Sequence, residues 1–273
     1  MLSMEETMHP YHNTKQLIPT QIHLNVKNIQ RMTTFYNDTL GLFMHEQNTE
    51  SVILGSHEHA FLVLHHTPDY LSVSNYESHL YHFAILVNEP YQLAHILQHL
   101  VSKQYPIDGA SDHQISHAVY LTDPEGNGIE LAYDRNESYW PRIDSQLLDG
   151  QAMIKPFDAD LYLHMEYPKD EVWHNHAVLG HVHLHSHDLD ATDAFMINTL
   201  SYKLTMNLNK QALFYSVHDY HHHLGFNRWG NFRVPLEDNK LGIRKLVFES
   251  SNIKEDKTLT DPNGFVFELK KVR

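Results

Sequence analysis

The sequence predicts an α+β fold of four related βαβββ modules, the fourth having lost its helix. Three observations predict it. A strand-helix unit occurs twice, a hairpin with a Pro/Gly turn occurs twice, and a stretch without sustained periodicity separates two halves of the chain.

Residues 23–40 read HLNVKNIQRMTTFYNDTL and residues 183–200 read HLHSHDLDATDAFMINTL, matching at Phe35/Phe195, Thr39/Thr199 and Leu40/Leu200 with a constant offset of 160. Each copy opens with a short alternating strand. Asn28 or Asp188 then stands where a helix needs a side-chain acceptor, and apolar residues follow three and four apart. Gly41 closes the first helix, and Ser201 takes its place in the second copy. The hairpins are LTDPEGNGIEL at 121–131 and LTDPNGFVFEL at 259–269, with another strand and helix at 81–105 before the first. His82 to Glu130 spans 48 residues but Lys245 to Glu268 only 23, too few for a helix as well. The modules therefore run at about 20–68, 80–134, 178–228 and 243–271. Pro141, Gly150, Pro156 and Pro168 mark 141–176 as a linker. The expected division is an N-terminal extension 1–19, a first domain 20–140, the linker 141–176 and a second domain 177–273. A module with one apolar sheet face cannot stand alone and must pair with another.

The 273 residues include 34 acidic residues against 20 Lys and Arg, 25 His and no Cys, for a net charge of -14. That surplus opposes a phosphate backbone or an anionic bilayer, so neither nucleic acid nor membrane is expected as a partner. Disulfides and thiolate catalysis are excluded. The first residues lack the basic and apolar segments of a signal peptide, and no apolar run is long enough to cross a bilayer. A soluble cytoplasmic protein is the expectation. The histidine excess points to metal or acid-base chemistry, although most of the 25 must be bystanders.

In LGHVHLHSHDL, strand alternation puts His181, His183 and His185 on one face, with His187 in register or already in the loop. A half-exposed polar face is the alternative for each. His82 in LYHFAILV has apolar neighbours, with Tyr81 and Phe83 on the other face; it reads as a ligand or as a satisfied core histidine. Glu130 ends an apolar strand, where an unpaired carboxylate would cost several kcal/mol. No Lys or Arg stands near it in the motif, and a metal would serve. His113, Tyr120 and Glu130 follow one another at spacings of 7 and 10, a pattern an ordinary hairpin would also produce. His221, His222 and His223 enter a strand pattern, in which one or two can face a given cavity.

These residues resemble the vicinal oxygen chelate superfamily of glyoxalase I, the bleomycin and fosfomycin resistance proteins and the type I extradiol dioxygenases. The spacing of His113, Val119, Tyr120, Asp123, Pro124, Gly126 and Glu130 is similar to the extradiol signature, departing at Ser111. GHVHLH, YHHH, YHFAIL and LTDPEGNGIE resemble segments of the two-domain catechol 2,3-dioxygenase group of Gram-positive bacteria. The resemblance implies two vicinal oxygen chelate domains with curved mixed sheets around a metal cavity. It also implies a metal held by His181, His82 and Glu130, so that modules two and three combine. Gln21 or His23 is the alternative first ligand. Lys245 replaces the second histidine in module four, so the C-terminal half is not expected to hold a metal by itself.

Two imidazoles and a carboxylate suit Fe(II), with Mn(II) or another divalent metal as the substitute. The implied reaction is extradiol cleavage of a catechol by O2 to a 2-hydroxymuconic semialdehyde type product. His222 would then steady oxygen and shuttle a proton, while His113 and Tyr120 bond the substrate. Two rivals remain. A glyoxalase-like isomerase or thiol transferase needs a fourth protein ligand, for which His222 is the candidate. A bleomycin-resistance-type binding protein would use Trp140, Trp173 and Trp229 against a cationic drug. The helix-poor fourth module leaves sheet edges that favour a homo-oligomer.

Overall fold

The computed structural model describes residues 9–140, 142–143, 146–147 and 154–272. Residues 1–8 of the expected N-terminal extension, and Pro141 and Gly150 of the expected linker, lie outside the described residues.

Modules one to three fold as α+β units and module four as strands alone. Module one contains β1 (Ile18–Val26), α1 (Ile29–Thr33), β2 (Phe43–Gln47), β3 (Ser51–Gly55) and β4 (Ala60–His66). Module two contains β5 (Leu80–Val87), α2 (Pro90–Ser102), β6 (Gly109–Asp112), β7 (Ser116–Thr122) and β8 (Gly128–Asp134). The stretch read as a linker carries β9 (Arg142–Ile143), β10 (Gln146–Leu147), β11 (Lys155–Pro156) and α3 (Ala159–His164). Module three contains β12 (Val178–His185), α4 (Leu189–Asn198), β13 (Lys203–Leu208), β14 (Ala212–Ser216) and β15 (Leu224–Asn227). Module four is reduced to β16 (Gly242–Ser250), β17 (Lys257–Thr260) and β18 (Val266–Lys271), with no helix between its first two strands.

The caps read from the sequence form. Asn28 Oδ1 accepts from Arg31 N at 3.0 Å and Asp188 Oδ1 from Ala191 N at 2.9 Å. Gly41 and Ser201 both take positive φ, +84° and +59°, to turn the chain after their helices. The first helix departs from expectation, since after Thr33 it widens into a π-helix over Thr34–Thr39. The wider turn sends the consecutive rings of Phe35 and Tyr36 into the core together.

In every module the first strand runs parallel to the last, β1 with β4, β5 with β8, β12 with β15 and β16 with β18. The modules then pair through antiparallel first strands. Modules one and four join through β1 and β16 into a seven-stranded sheet ordered β17-β18-β16-β1-β4-β3-β2. Modules two and three join through β5 and β12 into a nine-stranded sheet ordered β11-β6-β7-β8-β5-β12-β15-β14-β13. Each sheet therefore draws strands from both sides of the 141–176 segment. From Lys155 onward that segment is tied down, because β11 pairs with β6 and Gln98 Nε2 donates to the carbonyls of Tyr162 and Met165 at 2.9 Å. One apolar core spans both sheets, with Ile22, Leu24 and Phe248 from the first and Phe83, Ile85 and Leu184 from the second. Among the described residues no helix is long and apolar enough to cross a membrane.

Candidate metal centre

The seam of the nine-stranded sheet places the histidines. His82 opposes His183 across the antiparallel seam, while on its other side β5 runs beside β8 with Ala84 against Glu130. Side chains opposite one another in a sheet share a face, so His82, His183 and Glu130 project together. His181 joins them through a bulge. Leu179 pairs with Ile85 and Val182 with Phe83, so Gly180 and His181 together oppose the single residue Ala84. Without the extra residue, a strand that keeps Val182 inward could not also keep Leu179 inward. Gly180 is required here, because a Cβ at that position would stand 2.7 Å from the Cβ of Leu86. A second irregularity leaves Tyr81 unpaired between Leu80 and His82. Tyr81 consequently turns toward the cavity and packs on His82 and His183, instead of pointing to the opposite face as simple alternation predicts.

His82, Glu130 and His181 are buried, and each offers a ligand atom within 4.8 Å of the other two. Glu130 Oε2 lies 3.0 Å from His82 Nε2 and 3.2 Å from His181 Nε2. The first contact is too poorly directed for a hydrogen bond, leaving His82 Nε2 a buried nitrogen without a hydrogen-bond partner. Burial opposes a charge on Glu130, but the imidazoles of His181 and His82 outweigh it and hold the carboxyl well below its usual range. Burial likewise lowers His82, against the pull of Glu130. A neutral imidazole with an unused lone pair beside an ionised carboxylate is the donor set that a divalent cation accepts, so the residues fit a metal.

The cluster opens on a cavity of about 290 Å³. His113 and Tyr120 stand on one side with His113 Nε2 and Tyr120 Oη 2.8 Å apart. Burial lowers His113, while burial and Glu130 hold the Tyr120 phenol well above its usual range. His222 stands on the other side, its ring 4.3 Å from that of His181. Ile154, Met206, Leu208, Phe214 and Trp229 form apolar walls, and no Lys or Arg lines the cavity among the described residues.

The remaining candidates are committed elsewhere. His183 Nε2 accepts from Asn227 Nδ2 at 3.0 Å and His185 Nδ1 donates to Asn227 Oδ1 at 2.8 Å. His187 lies past the strand, beside Ser78. His221–His223 precede β15 in a bend instead of extending the strand. Successive side chains there diverge, His222 toward the cavity, His221 toward Asp134 and His223 toward Ser216. Trp173 donates to Leu40 O in the core and Trp140 to Arg135 O, so only Trp229 of the three tryptophans borders the cavity. Gln21 and His23 lie in the seven-stranded sheet, where Gln21 donates to Ala60 O and His23 meets His65 at 2.8 Å. There Lys245 Nζ lies 2.6 Å from Glu268 Oε1, an ammonium beside the carboxylate that matches Glu130. Reading the sequence alone singled out His221 within the 221–223 run but missed Asp134 and the pairing of the two. The available signal for Asp134 was its place four residues beyond Glu130 on the same strand.

Residues 18–131 match the family described as Glyoxalase/Bleomycin resistance protein/Dioxygenase superfamily. A catechol-2,3-dioxygenase from Bacillus subtilis is 31% identical over 218 residues, 78% of this chain and 75% of that protein. A putative dioxygenase structure from Bacillus subtilis aligns over 95% of this chain and 86% of its own, with a TM-score of 0.63 and 14% identity. Glyoxalase I from Zea mays aligns over 93% and 92% of the two chains with a TM-score of 0.56 and 14% identity. The cppA protein from Streptococcus pneumoniae aligns over 94% and 100% with a TM-score of 0.61 and 15% identity. At such identities the structures speak for the fold alone.

Proposed function

The chain belongs to the glyoxalase/bleomycin resistance protein/dioxygenase superfamily, and from that premise we propose that it is an Fe(II)-dependent extradiol dioxygenase. It opens the ring of catechol or a substituted catechol beside the two hydroxyls with both atoms of O2, giving a 2-hydroxymuconic semialdehyde type product. The observation that carries this reading is the buried His82, Glu130 and His181 group, open on a cavity that also holds His113, Tyr120 and His222.

Bound by those three residues, Fe(II) would supply Lewis acidity toward a catechol hydroxyl and the redox partner that O2 requires. The protein supplies the rest. His222 accepts a hydroxyl proton, and Tyr120, kept protonated by burial beside Glu130, donates a hydrogen bond toward the ring oxygens while His113 anchors its phenol. Apolar walls hold the ring and exclude water. The isomerase alternative needs a fourth protein ligand. Among the described residues the cluster of possible ligands has three members, His82, Glu130 and His181, and does not include His222, which favours O2 chemistry. Anaerobic loading with Fe(II), followed by catechol and air, is expected to give a yellow ring-cleavage product with matching O2 consumption. Protein that binds one Fe(II) per chain yet consumes no O2 with catechol, its alkyl or its halogen derivatives overturns the reading.

A further inference from the structure

We propose that Asp134 and His221 are positioning residues that hold His222 as its Nδ1-H tautomer, turning the Nε2 lone pair of His222 to the cavity to receive the substrate's hydroxyl proton. The proton-accepting role rests on the dioxygenase reading of the site, whereas the tautomer follows from the protein's own hydrogen bonds.

Asp134 ends the strand that carries Glu130, and alternation turns both carboxylates to the same side of β8. Its Oδ2 accepts from Tyr220 Oη at 2.8 Å and its Oδ1 faces His221 Nε2 at 3.1 Å. The guanidinium of Arg135 does not compete for it, pairing instead with Asp112 at 2.9 Å. Burial opposes the charge on Asp134, but His221 and Tyr220 outweigh it and keep the carboxyl below its usual range. An ionised carboxylate only accepts, so His221 Nε2 must carry hydrogen. In the neutral ring His221 Nδ1 is then a bare acceptor. It lies 2.8 Å from His222 Nδ1, a distance that requires one proton between the two nitrogens, and that proton belongs to His222.

His222 Nε2 is left with its lone pair. It is the ring nitrogen with no protein hydrogen bond among the described residues, on a side chain that lines the cavity. When the substrate O-H bond breaks and an Nε2-H bond forms, His222 becomes a cation. The charge is compensated through His221 by Asp134, as a third group steadies a base in other proton-transfer sites. The opposite tautomer would present N-H to the hydroxyl and could not take its proton.

The test is a long-range 1H-15N spectrum of metal-free protein carrying 15N-histidine, with His222 assigned against His222→Gln. Wild-type His222 is expected to show a protonated Nδ1 and a bare Nε2. In Asp134→Asn, Tyr220 donates to the amide oxygen and the amide NH2 donates to His221, reversing both donors and leaving His222 protonated at Nε2. The same variant should retain its metal content and lose about 10²- to 10⁴-fold in kcat/KM for catechol. Should it fail to fold, His221→Leu removes the same acceptor and should abolish the preference for Nδ1-H. A wild-type His222 protonated at Nε2 overturns the proposal, as does a His222 still protonated at Nδ1 in either variant. Wild-type protein with the expected tautomer but no catechol turnover would instead remove the dioxygenase reading and the acceptor role with it.

Discussion

Of the imidazoles gathered on β5 and β12, the two that meet Glu130 are those with no hydrogen bond to any other side chain among the described residues. His183 and His185 both spend a nitrogen on Asn227, whereas His82 and His181 meet Glu130 Oε2. His181→Ala should therefore abolish metal binding by the purified protein, while His183→Gln, two residues along the same strand, should still take up metal. Unchanged metal content in His181→Ala would refute the site. Along the cavity walls, Met206, Leu208 and Phe214 offer no cation to pair with a carboxylate. Methyl- or chlorocatechol should exceed a carboxylated catechol in kcat/KM by at least about 100-fold, the scale of an unpaired buried charge. Met206→Arg should narrow that gap, and equal turnover of both classes by the wild type would count against an apolar pocket. His82 and Glu130 were legible because a polar residue within an apolar strand needs a reason. Asp134 and its partnership with His221 were not, since the pair joins a strand end to a bend 87 residues away.

At the scale of elements, periodicity revealed the modules while the irregularities that aim side chains stayed hidden. Repeated caps, turns and apolar spacing come from local chemistry and are readable in one strand or helix. A bulge is decided by what the neighbouring strand presents, and one sequence stretch does not contain its partner's register. The extra residue at Gly180-His181 and the unpaired Tyr81 therefore had no local signature, and neither did the widened turn at Thr34–Thr39. Gly180→Ala tests the bulge directly. The new methyl meets Leu86, so β12 must move from β5, at a cost of about 1–3 kcal/mol. Because His181 adjoins it, metal affinity should fall as well. Both are measurable, by urea titration of the metal-free protein and by metal titration of the folded variant. Lost stability with unaltered metal affinity would mean that the bulge supports packing without aiming His181.

Over the whole molecule, two sheets of common design have diverged in what lies beside their matching carboxylates, imidazoles in one and the Lys245 ammonium in the other. Lys245→Met should cost about 1 kcal/mol and leave metal content unchanged, because Glu268 keeps Lys270 at 3.2 Å. The histidine excess has a second global consequence. Burial depresses His12 to about 3, His174 and His185 to about 4, and His183, His222 and His223 well below their usual value. Above the unfolded value of 6.5 these rings are neutral in both states and folding is unaffected. As pH falls below 6.5 the unfolded chain binds protons that the folded chain refuses. Each ring then removes about 1.4 kcal/mol of stability per pH unit until its folded value is reached. Asp261, raised to about 6 by burial, works the other way between 3.8 and 6, but it is outnumbered by the buried rings. Metal-free protein should therefore unfold on mild acidification. Its urea midpoint should drop steeply between pH 6.5 and 4.5, with a net uptake of several protons on unfolding at pH 5. A midpoint that stays level across that interval would mean that the buried imidazoles open to solvent before the fold is lost.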